Sequence, residues 1–184
     1  HLVDAAIRHD KNQPEFKLTL DTYIPRAVPE WKVKQAQTLY RQHLPLLTKI
    51  GREYGVQPRF IVALWGIETN FGKITGHYPL ISSLSTLAWD GRREAFCKGE
   101  LFDALRSLEQ GRVNPANFKG SWAGAMGQVQ FMPSSFLRYA VDQDGDGKKD
   151  LWGNLADVFG SAANYLSQNG WREDQTWGRR VRVP

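Results

Sequence analysis

The chain has 184 residues, 41% of them hydrophobic and 23% charged, with a formal net charge of +5. That length suits one domain able to bury roughly 70% of its unfolded surface, and the composition excludes a disordered or low-complexity protein. The basic residues are scattered, with no stripe and no nucleic-acid-binding motif, so nucleic acid is not an expected partner. No apolar run reaches transmembrane length, and no signal-peptide pattern is read within these residues.

In chain order, Lys17 to Ile24 alternates loosely through Leu18, Leu20 and Tyr23, which predicts a short strand or extended arm. Pro25 and Pro29 close it, and a helix is expected from about Trp31. Its apolar face continues through Leu39, Leu44, Leu47 and Ile50, with Pro45 expected to kink or divide it and Gly55 to end it. The next helix opens at Pro58, with Gly72 suited to the position just past its end. Two further helices are read over Pro79 to Trp89 and Arg92 to Gln110. Asn114 to Met132 is a Gly-rich connection without regular structure. A helix restarts at Pro133 and runs through Tyr139. After an acidic loop, Asn154 caps a last helix from Leu155 to Gln168, which Gly170 closes. The tail Trp177 to Pro184 is basic and alternating. One mainly α-helical domain over 1–184 is the expectation.

Glu68 is the most informative single residue. Helical spacing puts it on a stripe with Ile61, Leu64 and Phe71, and in the last turn, where the helix dipole disfavours negative charge. Apolar neighbours and the dipole both push a carboxyl pKa upward, which is what a general acid needs near neutral pH. A buried structural Glu paired with Arg92 or Arg93 is the competing reading, and this segment alone leaves both open.

The run Gly120 to Phe136 combines small residues with neutral hydrogen-bonding groups (Ser121, Gln128, Gln130) and apolar Trp122, Phe131, Met126 and Met132. Amides beside aromatics suit a sugar, which offers hydroxyls at its edges and C–H groups on its faces. A tight interhelical loop that needs glycine only for packing is the alternative.

Asp142, Asp144 and Asp146 at alternate positions, with Gly147 at the sixth, match the start of an EF-hand loop. Position twelve is Gly153 rather than a bidentate Glu, so Asp157 would have to supply that ligand. Asp150 would act at position nine through water, and Lys148 through its backbone carbonyl. Oxygen-only ligands point to structural calcium rather than a transition metal, against the alternative of a solvated acidic turn. Cys97, the only cysteine, excludes an internal disulfide and reads as a buried small residue. His1, His9, His43 and His77 have no metal-binding spacing.

These three segments, in this order, resemble the lytic murein transglycosylase B family of bacterial cell-wall enzymes. The likeness is carried by Ala63-Leu64-Trp65-Gly66-Ile67-Glu68-Thr69-Asn70-Phe71-Gly72, by Gly120 to Phe136, and by the acidic loop with Leu151-Trp152. It continues through Ala156 to Leu166 and Gly170-Trp171, and so covers about Tyr54 to Trp171. The resemblance implies a lysozyme-like helical domain with a substrate cleft and an inserted calcium loop at 142–157. It implies cleavage of the β-1,4 bond between N-acetylmuramic acid and N-acetylglucosamine without water, leaving a 1,6-anhydro ring, with Glu68 as the catalytic acid. A water-using muramidase and an inactive glycan-binding domain are the alternatives.

By the same likeness Ser121, Met126, Gln130 and Phe131 line sugar subsites, and Arg92 and Arg93 lie near the muropeptide. Tyr165, and on spacing alone Tyr23, are cleft aromatics. Calcium is held by Asp142, Asp144, Asp146, the Lys148 carbonyl and Asp157; no organic cofactor is implied. Glycan strands are the expected partner, with other cell-wall enzymes as further partners, and the Gram-negative periplasm the expected location. The chain starts at His1 without an initiator Met, so an export signal or lipid anchor upstream is compatible with it. Family chains continue beyond this one, with a Tyr-Asn segment and a further Tyr that close the sugar site. The C-terminal part of the family domain is therefore expected to be absent here.

Overall fold

The computed structural model describes residues 3–12, 19–90, 92–176, 178 and 181–182. Its helices are α1 (Asp4–Lys11), α2 (Leu20–Ala27), α3 (Glu30–Gln42), α4 (Leu44–Tyr54), α5 (Pro58–Thr69), α6 (Leu80–Asp90), α7 (Glu94–Glu109), α8 (Pro133–Tyr139) and α9 (Leu155–Gln168). Two short strands, β1 (Tyr78–Pro79) and β2 (Lys119–Gly120), pair antiparallel and pin the Gly-rich connection to the start of α6. The architecture is mainly α, as expected.

Helix α5 is the hub, packed against α3, α4 and α9. Ile61, Val62, Trp65, Gly66 and Thr69 form its buried face, the i, i+4, i+8 pattern of a helix wrapped on several sides. Trp65 meets Phe71 and Phe159 edge-on, at centroid separations of 5.4 and 5.0 Å, the geometry favoured by the ring quadrupole. Gly66 is required for this packing, because a Cβ there would lie 2.6 Å from the Phe71 ring.

Several boundaries differ from the sequence reading. The strand expected near Lys17 to Ile24 is helix α2 from Leu20 on, with Thr19 as its extended N-cap; Lys17 and Leu18 lie outside the described residues. Leu20, Tyr23, Ile24 and Ala27 also fit i, i+3, i+4, i+7, and the short alternating run could not distinguish the two periods. Helix α1 had no counterpart in the sequence reading. Helix α5 stops at Thr69 rather than near Gly72. Asn70, at φ 50°, takes the left-handed cap position, and the Phe71 N–H reaches back to the Trp65 carbonyl at 3.2 Å. The division at Pro45, the αL cap at Gly55 and the ends of α8 and α9 match the sequence reading. Asn154 caps α9 by accepting the Ala156 and Asp157 N–H groups. The tail from Trp177 falls largely outside the described residues.

Candidate active site

A cavity of ≈ 270 Å³ opens where α5, the loop before α8, α8 itself and α9 converge. Helix α5 contributes Leu64 and Glu68, the loop Val129 to Met132, α8 Ser135, and α9 Ala162 and Tyr165. Among the described residues Glu68 is the one carboxylate on this wall. It is exposed to solvent, so the expected burial on an apolar stripe needs correction. Ile61 and Phe71 are buried and Leu64 half-buried, while Glu68 leaves the core for the cavity. Its pKa is nevertheless pushed above the ordinary value by desolvation. The two facts agree because a cavity floor admits water from one side while protein crowds the other. Among the described residues Glu68 forms no ion pair, so the structural pairing with Arg92 or Arg93 is not present.

The loop opposite Glu68 is held by a small polar network. Gln128 accepts the Trp65 indole N–H at 2.7 Å and donates to the Trp152 carbonyl at 2.8 Å. The Thr69 hydroxyl donates to the Gln128 carbonyl at 2.6 Å and accepts the Gly72 N–H. Reciprocal backbone bonds between Met126 and Phe131, at 2.8 and 3.0 Å, close a tight loop with Gln130 near its end. Gln130 donates its amide to the Thr75 and Gly127 carbonyls. Two acceptors fix the orientation of that amide, so its oxygen is left available to a ligand. Among the described residues only Asn70, Phe71 and Gln130 are non-glycine residues with positive φ. Gln130 lines the Glu68 cavity, while Asn70 and Phe71 form the left-handed exit of α5 just after Glu68.

Of the sequence candidates, Glu68, Gln130, Phe131 and Tyr165 share this cavity. The Phe131 and Tyr165 rings lie 5.6 Å apart, and Tyr139 braces Tyr165 edge-on at 5.0 Å. Ser121 is placed elsewhere: its hydroxyl accepts the Ala123 and Ala125 N–H groups and so fastens the loop internally. Met126 is 0% exposed and is held to the cavity residue Phe131 by the reciprocal backbone bonds. Arg92 is engaged with Asp10 of α1, and Arg93 lies over the Phe96 ring. Tyr23 is an exposed residue of α2. None of these five lines the cavity.

Leu64, Val129, Met132, Ser135 and Ala162 complete the wall. Met132 matches the apolar surface read in the Gly120 to Phe136 run; the other four were not singled out as site residues, and their only prior signal was adjacency to Glu68, Gln130 and Tyr165. Packing also decides the loop glycines. A Cβ on Gly120 would sit 2.1 Å from the Ala125 carbonyl oxygen, so the small residue serves chain-to-chain contact.

In the acidic loop, oxygens of Asp142, Asp144, Asp146 and Asp157 lie within 4.8 Å of one another. Asp157 is 0% exposed. It accepts the Gln143 and Asp150 N–H groups at 2.7 and 2.8 Å, and its pKa is still raised to about 6, first by burial and also by Asp144 and Asp142. A sealed carboxylate facing two more acids is a donor set that fits a hard cation. Asp150 is turned away, its Oδ1 accepting the Trp152 and Gly153 N–H groups. The Lys148 ammonium donates to the Gly111 carbonyl, so only its backbone could face the cluster. Cys97 is buried, and desolvation raises its thiol pKa.

Residues 1–184 match the family model described as Transglycosylase SLT domain. Membrane-bound lytic murein transglycosylase B of Escherichia coli K12 is 40% identical over 140 residues, covering 76% of this chain and 38% of that protein. SltB3 from Pseudomonas aeruginosa, solved in complex with NAG-NAM-pentapeptide, superposes with TM-score 0.95 at 42% identity, over 100% of this chain and 49% of its own. The Escherichia coli lytic transglycosylase Slt35, solved in complex with calcium, gives TM-score 0.83 at 35% identity, over 95% of this chain and 55% of its own. The chain thus spans about half the length of these relatives or less. With the lysozyme-like helical fold and a lone carboxyl lodged in its cavity, the chain belongs to the Transglycosylase SLT domain family.

Proposed function

We propose that this chain carries the catalytic centre of a peptidoglycan lytic transglycosylase, with Glu68 as the only protein acid in the reaction. The observation that carries this reading is the solitary carboxyl, raised in pKa and, among the described residues, unopposed by a second acid on the cavity wall. Glycosidases that use water or a covalent intermediate pair two carboxylates across the bond. A single group suffices if the substrate supplies the nucleophile. Glu68 donates its proton to the glycosidic oxygen as the C1–O4 bond breaks. The C6 hydroxyl of the same muramic acid then attacks C1, and its proton passes to Glu68, which regenerates the acid. No water is consumed.

Gln130 offers a free amide oxygen and Ser135 a hydroxyl for N-acetyl and ring substituents, while Phe131 and Tyr165 supply aromatic surface for the sugar. Ser121 and Met126 act at one remove, by holding this loop. The Arg92–Arg93 region and Tyr23 remain candidates for contacts farther along a strand.

Calcium would be held by Asp142, Asp144, Asp146, Asp157 and the Lys148 carbonyl. Its contribution is to neutralise converging carboxylates and stiffen the loop that leads into α9. The substrate class implies the periplasm as the place of action. No described helix is long and apolar enough to cross a membrane.

Digestion of purified peptidoglycan in oxygen-18 water tests the reading. An intramolecular reaction leaves unlabelled anhydromuramic ends one water lighter than a hydrolytic product. Dominance of labelled reducing ends would make the protein a muramidase. Glycan binding with no cleavage would make these residues a binding module.

A further inference from the structure

Residues 112–117 and the acidic loop enclose a second cavity of ≈ 420 Å³ whose lining shares no residue with the Glu68 cavity. Arg112, Lys148 and Lys149 place three cations on its wall, Asn114 and Asn117 add amides, and Trp152 adds an aromatic face. Among the described residues none of the three cations enters an ion pair. Lys148 and Arg112 are steadied instead by neutral carbonyls, of Gly111 at 2.8 Å and Gly147 at 3.4 Å, which hold them without discharging them. The Lys149 N–H donates to the Arg112 carbonyl at 2.8 Å, so the main chain staples two cationic residues together.

Asp146 and Asp150 line the same cavity, so three cations face two carboxylates and the wall carries an excess of one positive charge. Asp146 belongs to the acidic cluster, and Asp150 Oδ1 accepts two backbone N–H groups. Asn114 spends its side-chain oxygen on the Ala116 N–H, which leaves its NH₂ as a donor. An excess of cations together with amide donors is complementary to an anion, and Arg in particular suits a planar carboxylate. The space is far larger than a simple ion needs, and Trp152 gives it an apolar side, so the anion is expected on a larger organic body.

We infer that this cavity is an accessory site for a free carboxylate of a peptidoglycan stem peptide. The inference deepens the glycan-strand reading above and rests on it for the identity of the ligand. It assigns a peptide contact to a place outside the catalytic cavity, so a strand would be gripped by its peptide as well as by its sugars.

The test is an NMR titration of the isotopically labelled chain with calcium present, followed through the Trp152 indole N–H signal. The ligands are a synthetic stem pentapeptide with free carboxylates, its fully amidated counterpart, and inorganic phosphate. The carboxylated peptide should shift the signal and the amidated one should not. Arg112→Gln/Lys149→Gln should weaken the response about tenfold, and Arg112→Lys/Lys149→Arg should restore it. Unchanged melting curves would show that both variants fold. No shift, a shift indifferent to the charge-removing pair, or an equal shift with phosphate would each overturn the assignment. Because nothing is turned over, this result is independent of the oxygen-18 digestion, and either reading can fail while the other stands.

Discussion

Glu68 and Asp157 are both carboxyls on helices next to α5 or within it, and both have raised pKa values, yet they solve opposite problems. Glu68 stands alone in the last turn of α5, at the wall of a cavity, where the helix dipole opposes its charge. Asp157 is sealed in the first turn of α9, where the dipole favours charge, but Asp142 and Asp144 crowd it. An isolated, partly desolvated acid relieves its discomfort by keeping its proton to a higher pH than an ordinary carboxyl, and a kept proton can be given away. An acid crowded by others at fixed distances is relieved better by a divalent cation that serves all of them at once. On the proposed reading, the same physical pressure would make a proton donor in one region and a cation site in the other.

The largest expected effect separates these roles at Glu68. Glu68→Gln preserves shape and hydrogen bonding but holds no transferable proton, so muropeptide release should fall by about 10²–10⁴-fold or more. Binding of glycan strands, measured by sedimentation with purified cell wall, should persist. Parent-like turnover in that variant would remove Glu68 from the mechanism.

The calcium side of the comparison predicts a stability effect. Calcium at a hundredfold excess over its dissociation constant should stabilise the parent by about 2.7 kcal/mol through mass action. Differential scanning calorimetry should show a higher melting temperature for the parent and no response in Asp142→Ala/Asp146→Ala. Magnesium should substitute poorly, because it demands a smaller octahedral cage. Identical parent melting curves in calcium and in chelator would falsify the cation reading.

Gln128 ties the two regions together, since it joins Trp65 of α5 to the Trp152 carbonyl beside the acidic loop. Gln128→Ala would strand a buried indole N–H and a carbonyl, at about 2–3 kcal/mol. Denaturant unfolding should register that loss, and catalysis should weaken with it as the Gln130 loop loosens.

The last effect is a pH dependence with an unusual sign. The Asp157 pKa is raised in the folded state from 3.8 to about 6, so the native protein binds this proton more tightly than the unfolded chain does. Its contribution is therefore fully stabilising below about pH 4 and is lost as pH rises through 6. Without calcium, melting temperatures corrected for other groups should decline across that window. With calcium, which binds the ionised form, the decline should flatten or reverse. For Glu68 the raised pKa places an activity loss on the alkaline side, as the acid gives up its proton to solvent.

Local chemistry written in the chain was sufficient for much of this. The ends of α8 and α9, the Asn154 cap and the left-handed stop at Gly55 follow from residues whose conformational preferences act within one turn. The alternating aspartates of 142–146 announced their own convergence, and Glu68 announced a conflict between its charge and its neighbours. The short α2 was misread because Leu20, Tyr23 and Ile24 satisfy both periods, and none of its residues is buried to break the tie.

What the sequence by itself determined was therefore the helical framework, the lone acid and the acidic loop, all features set by near neighbours. Only the tertiary structure decided which side chains surround that acid. Ser121 and Arg92 look like ligand-binding groups in isolation, but backbone N–H groups and Asp10 claim them first. Ser135, Ala162 and Leu64 carry no signal of their own and become cavity wall because three helices and one loop meet at a point. Such convergence depends on contacts distant in sequence, and no local preference encodes them.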